Sequence, residues 1–229
     1  MICGVFFLFG LTFIAFQEVF PIWARQPAVL GGPSWSTLRV GAVQGAASTG
    51  TLLASLVLYA PLSRALGQER LFALGCACNA LGYPWAAVLT ATGLAQTGSS
   101  GGGDGGVTVG VILAGNFVNA MGWELCFTSA NLMIKNTVAP QHIGRAMGLG
   151  NTAVACGIAV GPVLGASLFA LSVAPGFGGG PLSEGRLFFL VVELLLLANI
   201  ACTWRWLVPR KEAAAIGEED RAQALLAIN

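Results

Sequence analysis

Hydrophobic residues fill long continuous stretches of this chain, separated by short polar links. A helix that crosses a bilayer needs about 20 mostly apolar residues. Such stretches cover residues 2–23, 38–59, 71–92, 107–134, 146–171 and 187–207. The pattern predicts an all-α membrane protein with a six-helix transmembrane domain over residues 1–208 and a cytoplasmic tail over 209–229.

Composition supports a lipid bilayer as the surroundings of these helices. Hydrophobic residues make up 55% of the chain and charged residues only 9%, against about 25% charged in ordinary soluble domains. So few charges cannot solvate the whole surface of a soluble domain of this size. The net charge of +1 gives no excess of positive charge for nucleic-acid binding.

Lysine and arginine are unevenly shared between the two sets of links. Cytoplasmic links are enriched in these residues, so the richer set predicts the cytoplasmic side, together with both termini. The pattern does not distinguish the plasma membrane from the vacuolar membrane. The richer set holds Arg64, Arg70, Lys135, Arg145, Arg205, Arg210, Lys211 and Arg221, and the other set holds Arg25, Arg39 and Arg186.

A polar stripe in the fourth stretch provides the main candidate for chemistry. Thr128, Asn131 and Lys135 lie within about 40° of Glu124 around a helix, and Asn116 lies to one side. Ionisable residues in a membrane are costly and often functional. Glu124 is therefore a candidate proton or cation acceptor, with Asn116 and Asn131 as neutral substrate contacts. A hydrogen-bonded seam between two helices would account for the stripe equally well.

Two further glutamates lie in apolar stretches. Glu18, next to Gln17, lies towards the non-cytoplasmic end of the first stretch, where it is either a gating residue or an interfacial residue that reaches water. Glu193 lies alone among the leucines of the sixth stretch and is a weaker candidate for transport.

Two motifs resemble those of the major facilitator superfamily. Pro61–Gly67 reads Pro-Leu-Ser-Arg-Ala-Leu-Gly, which is similar to the second copy of the superfamily's signature loop. Gly157–Gly165 contains Gly157, Gly161, Pro162 and Gly165, similar to a Gly-x-x-x-Gly-Pro-x-x-Gly pattern in a span beside the pore.

The likeness narrows to the zinc-induced facilitator-like group. Residues 18–24 and 31–36 resemble the seventh span and the following loop of that group, which also has an acidic residue at the position of Glu18. The Val-Ala-Pro-Gln turn at 138–141, before a basic, glycine-rich helix, is similar as well.

This resemblance implies the C-terminal six-helix half of a fold that has about twelve spans in two halves. The expected partners are the lipid bilayer, a small-molecule substrate, and a missing N-terminal half or a second copy. A truncated gene product is one reading and a half-sized transporter is the other. Pro61, Arg64, Gly67, Arg145 and the glycine-proline motif are expected to act in conformational change, with Arg64 pairing with a helix end or an acidic residue.

The predicted function is secondary active transport of a small polar solute, organic anion or metal chelate, with protons as the candidate coupling ion. The alternative is a non-transporting membrane scaffold or a subunit that needs a partner. An enzyme is not expected, because the protease-like motif Gly101–Asp104 has no second aspartate within a span. No cofactor or metal is expected, since His142 is the single histidine.

Overall fold

Helices form all the regular structure among the described residues. The computed structural model describes residues 2–27, 30–82, 105–136, 138–174 and 183–206. The helices are α1 (Ile2–Arg25), α2 (Thr37–Leu53), a π-helical segment (Ala54–Leu58), α3 (Tyr59–Leu66), α4 (Gln68–Gly82), α5 (Gly105–Asn136), a 3₁₀ turn (Pro140–His142), α6 (Ile143–Ser172) and α7 (Arg186–Trp206).

Within those ranges, five helical units are long and apolar enough to cross a bilayer: α1, α2 to α3, α5, the 3₁₀ turn with α6, and α7. They agree with five of the predicted stretches to within a few residues, except at the end of the second. The third predicted stretch is described only up to Gly82. Residues 83–92, the Gly101–Asp104 motif and the predicted tail lie outside the described residues.

The short polar link that the sequence pattern predicts between the second and third stretches, over residues 61–70, is mostly helical in the structure. The chain stays helical through Leu66, and α4 begins at Gln68, so the turn is the single residue Gly67. Gly67 has φ 76° and ψ 168°, a conformation that residues with a Cβ rarely adopt. Its N–H donates to Ser63 O, and its own carbonyl accepts from Leu71 N–H. The charged side chains of this region suggested a loop, but the backbone N–H and C=O groups here are paired by helical hydrogen bonds.

Replacing Gly67 with alanine is expected to destabilise this turn by about 1–3 kcal/mol, because the added Cβ disfavours this backbone conformation. A fall in the thermal unfolding midpoint in detergent would report the effect. Gly45→Ala is the matched control, because Gly45 is helical and its added Cβ would meet no atom within 4 Å. An equal midpoint for the two variants would contradict the prediction.

The π-helical segment precedes Pro61 in the same span. Tyr59 N–H donates to Ala54 O, five residues back. A proline has no N–H to donate, and its ring crowds the carbonyl four residues earlier, here that of Val57. Widening of the preceding turn relieves that crowding, so Pro61 provides a physical reason for the π segment.

Glycines set the close contact between α1 and α6. A Cβ on Gly157 would lie 2.9 Å from Leu11 N, and one on Gly161 would lie 2.8 Å from Leu11 O. A Cβ on Gly165 would likewise lie 3.1–3.2 Å from atoms of Ala15. Small residues allow backbones to approach like this in membranes. α6 continues as an α-helix through Pro162.

Two apolar clusters hold the helices together at different levels. One lies around the C-terminal half of α1 and the start of α7, and the other lies around the N-terminal half of α1, α4 and α5. The first includes Phe16, Phe20, Trp23, Phe188 and Phe189, and the second includes Phe6, Phe9, Phe72, Met133 and Ile134.

Candidate functional site

A cavity of about 410 Å³ lies between α1, α2 and α5, near the middle of each helix. Secondary transporters bind their substrates at a comparable level, near the middle of their spans. The walls combine neutral polar groups with two aromatic rings. The lining residues are Phe13, Gln17, Gln44, Ala47, Ser48, Thr51, Asn116, Ala120 and Trp123.

Helix α1 contributes Phe13 and Gln17 to the cavity. These two residues lie one turn apart, so their side chains share a face. Glu18 is not among the lining residues, and its side chain is exposed. Gln17 therefore lines the cavity, whereas Glu18, which the sequence analysis considered together with it, does not.

Helix α2 contributes Gln44, Ser48 and Thr51, which the sequence analysis missed. Thr51 Oγ1 donates to Ala120 O across the α2–α5 contact, at 3.4 Å. Neutral side chains in a glycine- and alanine-rich helix give no charge signal. Their spacing of four and three residues is the helical period, and it is the one pattern that could have identified this face.

Helix α5 contributes Asn116, Ala120 and Trp123. Asn116 is buried, and its Nδ2 donates to Ile112 O at 3.0 Å. That bond fixes the amide and leaves its oxygen as an acceptor. Trp123 stacks on Phe13 with ring centroids 3.7 Å apart and on Phe9 at 4.7 Å. The cavity thus combines hydrogen-bonding groups from all three helices with an aromatic pair from α1 and α5.

The rest of the predicted stripe lies outside this cavity. Thr128 Oγ1 donates to Glu124 Oε1 at 2.9 Å, and Asn131 Nδ2 donates to Phe127 O at 2.9 Å. Lys135 is exposed at the end of α5. Glu124 is not among the lining residues, although it lies about 40° around the helix from the lining residue Ala120. The structure therefore splits the stripe into a cavity residue, Asn116, and a neighbouring acidic face.

Other candidate residues lie away from the cavity. Arg64 Nε donates to Ala60 O on its own helix at 3.2 Å. Among the described residues no ion pair of Arg64 is seen, and its pairing with a helix end or an acidic residue stays a prediction. Arg145 and His142 are exposed at the start of α6. Glu193 is half-buried on α7, and its Oε2 makes no hydrogen bond within the described chain.

Metal ligands do not cluster in the described part of the chain. No group of three or more His, Cys, Asp or Glu side chains there could hold an ion. The cavity walls in particular carry no thiol, imidazole or carboxylate, so the site is suited to hydrogen bonding and stacking.

The long apolar helices define an integral, multi-pass membrane protein. A probable peptide/nitrate transporter of Arabidopsis thaliana is 27% identical over 216 residues, 87% of this chain and 40% of that protein. The protein zinc induced facilitator-like 1 of the same plant is 26% identical over 210 residues, 88% of this chain and 40% of its own length.

These likenesses confirm the resemblance identified in the sequence: the chain is a relative of these transporters within the major facilitator superfamily. The chain spans about two fifths of the length of the curated relatives it matches. No protein-family model matches it, and no solved structure does.

Proposed function

We propose that this chain forms the C-terminal half of a secondary active transporter, and that the cavity between α1, α2 and α5 binds the transported solute. The cavity itself is the observation that supports this proposal most directly. It lies at mid-helix level, holds about 410 Å³ and combines hydrogen-bonding groups with aromatic rings. Sites of this size and mixed lining are typical of small-molecule binding.

The lining favours a small polar solute over the other two candidate classes. Gln17, Gln44 and Asn116 offer amide groups, and Ser48 and Thr51 offer hydroxyls. The described lining contributes no cationic side chain to attract an organic anion, and no thiol, imidazole or carboxylate to contact the metal of a chelate. A flat or apolar part of the solute would stack against Trp123 and Phe13, since base-like and aromatic surfaces prefer such rings.

Glu124 is the proposed proton acceptor beside the solute site. It follows the cavity residue Trp123 in α5, and the carboxylate accepts from Thr128. A carboxylate that changes charge one residue from the cavity wall would alter the field at the bound solute, which supports coupling between proton and solute.

Glu124→Gln is expected to abolish solute accumulation driven by a proton gradient, while solute exchange without a gradient continues. The glutamine keeps the shape and the bond from Thr128 but cannot take up a proton. Uptake into proteoliposomes by the complete transporter, with and without an imposed gradient, measures both quantities. Glu184→Gln is the control, because Glu184 pairs with Arg186 at the start of α7. Gradient-driven uptake that survives Glu124→Gln would remove Glu124 from the mechanism.

The proposed transporter needs a second six-helix unit against this one, either the N-terminal half or a second copy. In the most apolar 18-residue segment of the α2–α3 span, only 17% is buried within the bundle, whereas the corresponding share for α1 is 50%. Polar Gln44 is on that poorly covered span, and lipid would offer its amide no hydrogen-bond partner. The same exposed span would suit a non-transporting scaffold, and the uptake experiment distinguishes the two, because a scaffold moves no solute.

A further inference from the structure

Two thiols face each other across the contact between α4 and α5. Cys76 Sγ on α4 lies 3.6 Å from Cys126 Sγ on α5, which is hydrogen-bonding distance for sulfur. Both residues are free cysteines, and neither has any exposed surface. They are 50 residues apart in the sequence, so only the packing of the two helices brings them together.

A backbone carbonyl orients one of the two thiols. The Cys126 thiol donates to Phe72 O, one turn before Cys76 on α4, at 3.3 Å. With its proton directed at that carbonyl, the sulfur of Cys126 is left to accept from the Cys76 thiol. The carbonyl and the two thiols thus form a short chain of hydrogen bonds, which holds the two sulfurs next to each other.

Glycines beside the two thiols allow the helices to approach closely. A Cβ on Gly75 would lie 2.6 Å from Cys126 Sγ and 2.8 Å from Gly122 O, and one on Gly122 would lie 2.7 Å from Gly75 O. A disulfide joins its sulfurs at about 2.05 Å, so these two must close by about 1.5 Å. Small rotations of two side chains supply a movement of that size when the helices are already in contact.

We propose that Cys76 and Cys126 are a modification site: hydrogen peroxide, or another small uncharged two-electron oxidant, converts them into a disulfide that joins α4 to α5. One sulfur attacks the peroxide, the O–O bond breaks, and the thiol proton leaves with the departing oxygen as water. The product is a sulfenic acid. The second sulfur then attacks the first, the S–O bond breaks, and the second thiol proton leaves in another water.

The surroundings of the two thiols favour this product. Two neutral thiols become one neutral disulfide, so no ion remains in the membrane interior, where it would be costly. The first step is slow for a buried thiol, and only a small uncharged oxidant reaches it. The second step is fast, because the partner sulfur is already in contact. The disulfide would hold α4 rigidly on α5, the helix that contributes Asn116 and Trp123 to the cavity.

Peptide mass spectrometry of the chain in lipid nanodiscs, after treatment with hydrogen peroxide, tests the proposal. The peroxide concentration is raised until Cys156, which is exposed on α6, is oxidised, and free thiols are then blocked with N-ethylmaleimide during unfolding. More than about half of the chains should carry a Cys76–Cys126 crosslink. The thermal unfolding midpoint should rise by about 5 °C or more, because the crosslink closes a long loop, and it should fall again on reduction.

Serine variants separate this disulfide from other oxidation of the chain. Cys76→Ser and Cys126→Ser should each abolish the crosslink and the rise in the midpoint. Cys78→Ser is the matched control, because Cys78 is partly buried on the same helix, and it should change neither result. Crosslinks to other cysteines, sulfinic acid at Cys76 or Cys126 without a crosslink, or unreacted thiols beside oxidised Cys156 would each overturn the proposal. Because no transport is measured, these outcomes are independent of the proposed function.

Discussion

Gly157→Leu is expected to prevent stable packing of α6 on α1. A Cβ at Gly157 would lie 2.9 Å from Leu11 N and would also press on the carbonyl oxygen of Phe7. These are backbone atoms, so no side-chain rotation relieves the clash, and the helices must separate. Overpacking that displaces backbone costs about 3 kcal/mol or more, which corresponds to a fall in Tm of roughly 10 °C for a domain of this size. Thermal unfolding of the purified chain in detergent measures it.

Gly148→Leu is the matched control on the same helix. A Cβ at Gly148 would meet no atom within 4 Å, so a side chain is accommodated and Tm should change by less than about 2 °C. If both variants unfold at the same temperature, the close α1–α6 contact does not stabilise the bundle. Gly148→Leu that unfolds normally but fails to transport would instead indicate that this face contacts the second six-helix unit.

Asn116→Leu is expected to lower solute uptake at least tenfold. Asn116 is a cavity residue whose amide is held by its bond to Ile112 O, which leaves the oxygen as an acceptor for the solute. Loss of one such hydrogen bond, together with an unpaired polar group on the solute, costs about 2 kcal/mol, or about 30-fold in affinity. Initial uptake rates over a range of solute concentrations should show a raised KM.

Asn119→Leu is the control for that experiment. Asn119 lies one turn further along α5, fully buried against α4, where a Cβ on Gly82 would lie 2.9 Å from Asn119 Cβ. Neither amide atom of Asn119 makes a hydrogen bond within the described residues, so leucine removes no interaction there. Equal losses of uptake in the two variants would show that the asparagines matter for packing and that the cavity does not bind the solute.

The spans were predictable because hydrocarbon imposes a length and an apolar composition on each helix. Helices α1, α5, α6 and α7 begin and end within a few residues of the expected positions. The predicted end of the second span was too early, because Ser63 and Arg64 resemble loop residues in the sequence. In the structure their side chains bond to Ala60 O, so a helix end close to water accommodates them without a loop.

The candidate site was only partly predictable. Glu124, Gln17 and Asn116 were noticed because charged and amide groups are conspicuous in an apolar sequence. Gln44, Ser48 and Thr51 were not noticed, because the face they share becomes polar only when α5 and α1 close the other sides of the cavity. The closeness of Cys76 and Cys126 was also missed, because it depends on how α4 packs against α5.

The sequence by itself determined that the chain lies in a bilayer and which superfamily it resembles, because length, apolarity and short motifs are local properties of the chain. Only the tertiary structure decided that Asn116 lines a cavity while Glu124, on the same helix, does not, and that glycines of α6 meet the backbone of α1. Those facts depend on how helices rotate and approach one another. Side-chain shape across several elements sets that arrangement, and no single segment contains it.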